Sequence, residues 1–172
     1  MNNDSYSPSP TLRPLVASFY FVAVAFILPS LLEWMLVGYP FRVGQPNWRF
    51  GSLGLLYNSV AVSPLFGLAI TAVAAAMLGH RGMLRAAAVL AGLLALLLVV
   101  TMPFFALDFV QLRANVNPNG KRAFDLLALK SAMVAVIMAT TAIAVALAAW
   151  KASRLDARTS TARRAPRGGR AR

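Results

Sequence analysis

The stretch AAAVLAGLLALLLVVTMPFFAL, Ala86 to Leu107, decides the class of this chain. It runs for twenty-two residues without a charge, mostly Ala, Leu and Val, with Pro103 near its end. A helix crossing a hydrocarbon slab ~30 Å thick needs roughly 20 apolar residues at about 1.5 Å each. A core helix of a water-soluble domain would show a polar stripe over that length, and this one has none. The stretch therefore predicts a membrane span.

Its surroundings repeat the pattern. Before it lies a short basic turn, His80 to Arg85; after it, helix is expected to continue through Asp108 and Gln111 to Arg113. The run Asn115-Val116-Asn117-Pro118-Asn119-Gly120 is a turn signal, since Asn and Gly tolerate left-handed backbone and Pro118 ends a helix. Helix resumes near Lys121, and another span is predicted over 127–150. Upstream, an uncharged run allows a span over 60–78 with Pro64 in its first turn, and a first span over 15–37 in which Pro29 leaves a carbonyl without its helical donor. Between these two, Gly38 to Gln45 is a loop. From Asn47 to Ser59, Trp48, Leu55, Leu56 and Tyr57 mingle with Arg49, Ser52 and Asn58, a mixture suited to the headgroup region.

The expectation is an all-α integral membrane four-helix bundle with a short interfacial helix between spans 1 and 2. The membrane domain covers residues 14–154, flanked by an unordered N-terminus (1–13) and an unordered basic tail (155–172).

Composition narrows the chemistry. Of 172 residues, 59% are hydrophobic and only five are acidic, with no cysteine and a single histidine, His80. Thiol chemistry, disulfides and a multi-histidine metal centre are thereby excluded from this chain alone, and no cofactor is expected. A formal charge of +12 would suggest nucleic acid in a soluble protein. Here cytoplasmic flanks of membrane helices, which collect Lys and Arg, account for it, and no nucleic-acid partner is expected. With four spans both termini share one side. That side holds eleven basic residues, the opposite side six, namely Arg42, Arg49, Arg113, Lys121, Arg122 and Lys130. The positive-inside rule places both termini in the cytoplasm of a bacterial inner membrane, where the basic tail can meet anionic lipid.

Four groups of side chains are candidates for function. Gly67, Thr71, Ala75 and Gly79 recur every four residues on the second span, a stripe suited to close helix packing or to a partner's helix. Trp34, Trp48 and Tyr57 are expected at the membrane interface. Folding the last two spans about Pro118 brings Asp108 towards Lys130 and Arg113 towards Asp125, two charge pairs that would fix register. Glu33, in the last turn of the first span, is expected to be neutralised by Arg42 and Arg49. His80, beside Arg81 at a helix end, is expected in solvated loop. No Ser-His-acid set, paired carboxylates or HExxH motif is present, so no enzyme is expected.

The run Gln45-Pro46-Asn47-Trp48-Arg49 to Leu56, followed by Val62-Ser63-Pro64-Leu65-Phe66-Gly67-Leu68-Ala69-Ile70, resembles HpsJ-like membrane proteins. In that family an Asn-Pro-x-Trp-type opening precedes a short helix and a Pro-Leu-x-Gly-Leu-Ala start to the next span. The family is linked to polysaccharide secretion in filamentous cyanobacteria. Here the order is Pro46-Asn47, and a compact turn stands where a long polar region follows the third span. The resemblance implies a shared four-span architecture with an outer-face interfacial helix, and brings no catalytic residues. The role expected is an accessory or assembly subunit among other membrane-protein subunits; the alternative is a small carrier or flippase component in polysaccharide or lipid export, relying on Glu33 and Asp108.

Overall fold

The computed structural model describes residues 12–164 of the chain, with side-chain surroundings for 18–154. The expectations for residues 1–11 and 165–172 lie outside the described residues. Helix α1 is Leu12–Gly38 and α2 is Pro46–Leu55; one π turn, Leu56–Val60, joins α2 to α3, Val62–Leu78. Then come α4, Arg81–Arg113, a 3-10 turn at Pro118–Gly120, and α5, Lys121–Arg164. No strand occurs among the described residues. The described chain holds four helices long and apolar enough to cross a membrane, the second being Pro46–Leu78 taken whole.

Local chemistry sets the breaks. Pro46 sits at the start of α2, where its missing N–H is no loss. Gly79 takes the left-handed conformation, φ +67°. The His80 amide donates to the Ala75 carbonyl at 2.9 Å and the Gly79 amide to Ala76, which closes α3 with the paired bonds of a Schellman motif. At the other turn the Asn117 side chain accepts from the Asn119 amide at 3.2 Å, ahead of α5. α5 then continues through 155–164, which composition alone assigns to the unordered tail. That stretch is rich in Ala and Arg and has neither Gly nor Pro, so nothing local stops the helix.

The expected separate interfacial helix is not found. The backbone stays right-handed helical at Leu55, Leu56 and Ala61, and the π turn between them closes with the bond from the Ala61 amide to the Leu56 carbonyl, 2.9 Å. Arg49 lies against Asp108, Tyr57 against Thr101, and Ala75 against Leu84 and Ala88. One helix thus runs antiparallel to α4 from end to end. Arg49, Tyr57 and Asn58 are accommodated because they meet Asp108 and Thr101 on α4 and Ser131 on α5.

The helices also do not close into a bundle of four. α2–α3, α4 and α5 pack on one another, while α1 lies on the flank against α3 and the π turn. On α4 the buried positions Leu84, Ala88, Ala91, Ala95, Leu98 and Phe105 follow a heptad-like spacing, and α5 answers with Ala128, Ser131, Ala135, Ala139, Ala142 and Ala149. In lipid no hydrophobic push drives helices together, so contact rests on van der Waals fit, which small side chains permit.

The stripe on α3 is consumed in the same way. Gly67 abuts α1 so closely that a Cβ there would lie 2.7 Å from the Ala23 carbonyl oxygen and 2.8 Å from Ile27 Cγ1. The Thr71 hydroxyl donates to the Gly67 carbonyl at 2.8 Å, Ala75 is buried against α4 and Ala149, and Gly79 ends the helix. Ser63 reinforces the α1 contact, its hydroxyl donating to the Phe26 carbonyl at 2.7 Å, one turn before Pro29.

Replacing Gly67 by Ala is expected to lower stability by ~1–3 kcal/mol, because the opposing atom is backbone and cannot move aside. Gly54→Ala, where nothing lies within 4 Å of the added carbon, should leave stability unchanged or raise it by up to ~1 kcal/mol. Thermal unfolding of both variants in detergent micelles checks the contrast.

Candidate functional site

The richest side-chain chemistry gathers where α2 begins and α4 ends. Trp48, in the first turn of α2, donates from Nε1 to the Gly38 carbonyl at 3.1 Å, satisfying one of the free carbonyls at the end of α1. Its ring meets Phe41 edge-on at 6.0 Å. The next residue, Arg49, faces α4. Its Nε donates to Asp108 Oδ2 at 3.0 Å, Nη2 donates to Oδ1, and Nη1 reaches back to the Val43 carbonyl at 3.0 Å. One planar guanidinium therefore ties α2, α4 and the 39–45 loop together. Asp108 has no exposed surface, while the Arg49 side chain is 29% exposed. A buried carboxylate demands such a partner, since an unpaired charge out of water is strongly disfavoured.

Phenylalanine rings surround the pair. Phe50 stacks between Phe105, 4.6 Å away, and Phe124, 5.1 Å away, and Phe124 stacks in turn on Phe109. Tyr57 meets Phe105 edge-on and donates its hydroxyl to Thr101 Oγ1 at 3.0 Å; Thr101 passes its own proton to the Leu97 carbonyl. Asn58 Nδ2 donates to Ser131 Oγ at 2.8 Å, the corresponding link to α5. Beyond the rings, Arg113 Nε and Nη2 donate to the two oxygens of Asp125 at 2.8 and 2.9 Å across the Pro118 turn.

These placements differ from the sequence expectation in three respects. Asp108 is held by Arg49 and not by Lys130, which is exposed on α5. Asp108 continues the buried face of α4 three residues after Phe105, so it points at α2 and away from the outer side of the hairpin. Tyr57 is fully buried and not at the protein surface, set in the α4 seam with its hydroxyl on Thr101. Glu33 is exposed and has no ion-pair partner among the described residues, since Arg49 is engaged elsewhere. Trp34 and Trp48 are half-buried, Trp34 against the cluster containing Leu56 and Val60. At the opposite end His80 is exposed, its Nδ1 3.1 Å from the Tyr20 hydroxyl with the rings stacked.

Sequence reasoning missed the Arg49–Asp108 pair by pairing charges only across the nearer turn. The signal was present in the thirty uncharged residues from Phe50 to Gly79, a length that suits one long helix running back along α4. Chemically, each carboxylate oxygen of Asp108 and Asp125 accepts from a guanidinium donor. Such groups hold helices in register. Compared with known proteins, the chain matches no family model, no curated protein and no solved structure.

Arg49→Met alone should cost ~3–5 kcal/mol, because it strands a buried carboxylate, whereas Arg49→Met with Asp108→Leu should recover most of that loss. Arg113→Ala, at a half-exposed pair, should leave stability nearly unchanged. Lys130→Met should add its effect to that of Asp108→Asn without coupling. Unfolding free energies of the single and double variants in micelles test all three.

Proposed function

We propose that this chain is a non-enzymatic multi-pass membrane protein of the bacterial inner membrane, acting as an accessory or assembly subunit of a larger membrane complex. The observation that carries the reading is the position of α1. It packs on α3 through Ala23 and Gly67 and leaves Phe21, Val24, Leu28, Leu32 and Leu36 exposed, a long apolar face on a helix held from one side. The α3 stripe is spent on internal contacts, and α1 is the least buried of the four candidate spans, which leaves it a face for a neighbouring helix. Two of the carboxylates on the helices support the same reading. Asp108 and Asp125 are each locked to an arginine, an arrangement that serves register better than it serves a proton or cation path, which relies on groups free to change partner. Both termini face the cytoplasm, by the excess of Lys and Arg on their side, and Lys151, Arg154 and the tail beyond them meet anionic lipid.

A tagged chain purified in mild detergent is expected to retain a stoichiometric membrane partner, and the combined change Leu28→Ala, Leu32→Ala and Leu36→Ala to release it while the chain stays folded. Retention of the partner by that variant, or recovery of the chain alone, overturns the reading. The natural chain has no cysteine, so single substitutions report topology cleanly. Asn117→Cys should react with an impermeant maleimide in intact spheroplasts, and Gly82→Cys should react only after lysis.

A further inference from the structure

Beside the ion pair, at the end of the molecule where α2 and α5 begin, lies an open cavity of about 730 Å³. That is within the ~300–1,000 Å³ common for small-molecule sites. Two of its walls are the half-buried rings of Phe50 and Phe124, and the carboxamides of Asn47, Gln111 and Asn115 stand exposed around them. No ionisable side chain lines it. Arg49 on α2 and Arg113 on α4, neighbours of the lining in sequence but not part of it, each have both carboxylate oxygens of an aspartate in hydrogen-bond contact, so the field they project into the cavity is largely cancelled. Asn47 and Gln111 make no side-chain hydrogen bond among the described residues, and Asn115 makes only a long one, 3.4 Å, to the Gln111 carbonyl. Gly51 leaves the α2 wall bare, with nothing within 4 Å of where a Cβ would stand.

We infer that this cavity binds an uncharged, hydroxyl-rich headgroup. The chemistry of the lining carries the inference. A carboxamide offers two donors and an acceptor with no net charge, the complement of neighbouring hydroxyls that both give and take protons. Phenyl faces accept the C–H side of a saturated ring, burying apolar surface without asking for a polar partner. A phosphate or carboxylate would find no cation among the lining residues, and an ammonium would find no carboxylate there. The cavity adjoins helices long and apolar enough to cross a membrane, so the headgroup arrives either free in water or on a lipid. This site is separate from the exposed face of α1 and stands whether or not the subunit reading does.

The test uses the full chain purified in an amine-oxide detergent, which carries no sugar. Monoglucosyl diacylglycerol, phosphatidylglycerol and free glucose are titrated, with bound lipid counted by native mass spectrometry. One glucosyl lipid should bind saturably and at least about tenfold more tightly than phosphatidylglycerol, a difference of ~1.4 kcal/mol. Gly51→Leu, which fills the cavity, and Gln111→Leu, which removes a carboxamide, should each weaken that binding by about tenfold or more. Gly54→Leu, on an equally open part of α2 outside the cavity, should leave it within about twofold. Displacement of the lipid by free glucose assigns the site to the sugar itself; binding of the lipid without such competition assigns it to the lipid-borne headgroup. Equal binding of phosphatidylglycerol, or binding that survives both Gly51→Leu and Gln111→Leu in folded protein, overturns the inference, as does the lack of any saturable site.

Discussion

An aspartate with no exposed surface constrains everything near it. Asp108 stands on the inner face of α4 among aromatic rings, where a lone carboxylate would be intolerable, and Arg49 is the cation that answers it. For the guanidinium to arrive, α2 must lie along the end of α4 and not across it. That single requirement places Phe50 between Phe105 and Phe124, brings Trp48 to the last carbonyl of α1, and turns the 39–45 loop so that Val43 can accept from Nη1. Charge pairing and ring stacking act together here, each holding the geometry the other needs.

Away from that end the molecule is assembled by closeness. Alanine on α4 meets alanine on α5, and Gly67 lets α3 approach the backbone of α1. Small side chains lose little rotamer entropy when buried and allow backbones near enough for dense contact. Thr71, buried on α3, returns its proton to its own helix at the Gly67 carbonyl, and the exposed Thr140 does the same at Val136. They add no demand on a neighbouring helix.

How far the chain itself discloses this arrangement depends on the range of the interaction. Local signals are legible: the apolar run 86–107, the Asn-Pro-Asn-Gly turn, and Pro46 at a helix start act within a few residues of themselves. Gly79 is half legible, because its i+4 spacing suggests a packing stripe while its backbone conformation makes it a helix terminus. The partner of Asp108 is fifty-nine positions away, and no periodicity in either segment names it. Nor does any short-range pattern distinguish an amphipathic helix facing headgroups from one facing α4 and α5, since both want tryptophan, arginine and leucine mixed. The flanking place of α1 is likewise invisible in its sequence, which is apolar on every side. The cavity beside Phe50 arises from three segments meeting, so its carboxamides look like ordinary loop and helix-end residues when read in order.

The π turn between α2 and α3 now takes on a further meaning. Each residue advances an α-helix by about 100°, and a π turn accommodates one residue more than an α turn would. It therefore behaves as a phase shifter, allowing α2 to aim Arg49 at one neighbour while α3 aims Gly67 at another. Shortening the chain by one residue there would yield a smoother helix, locally more comfortable, yet one whose two halves could not both be seated. The irregularity is thus imposed by the neighbours on either side, and single-residue length changes should be far less forgivable at Leu56–Val60 than in the loop before Pro46.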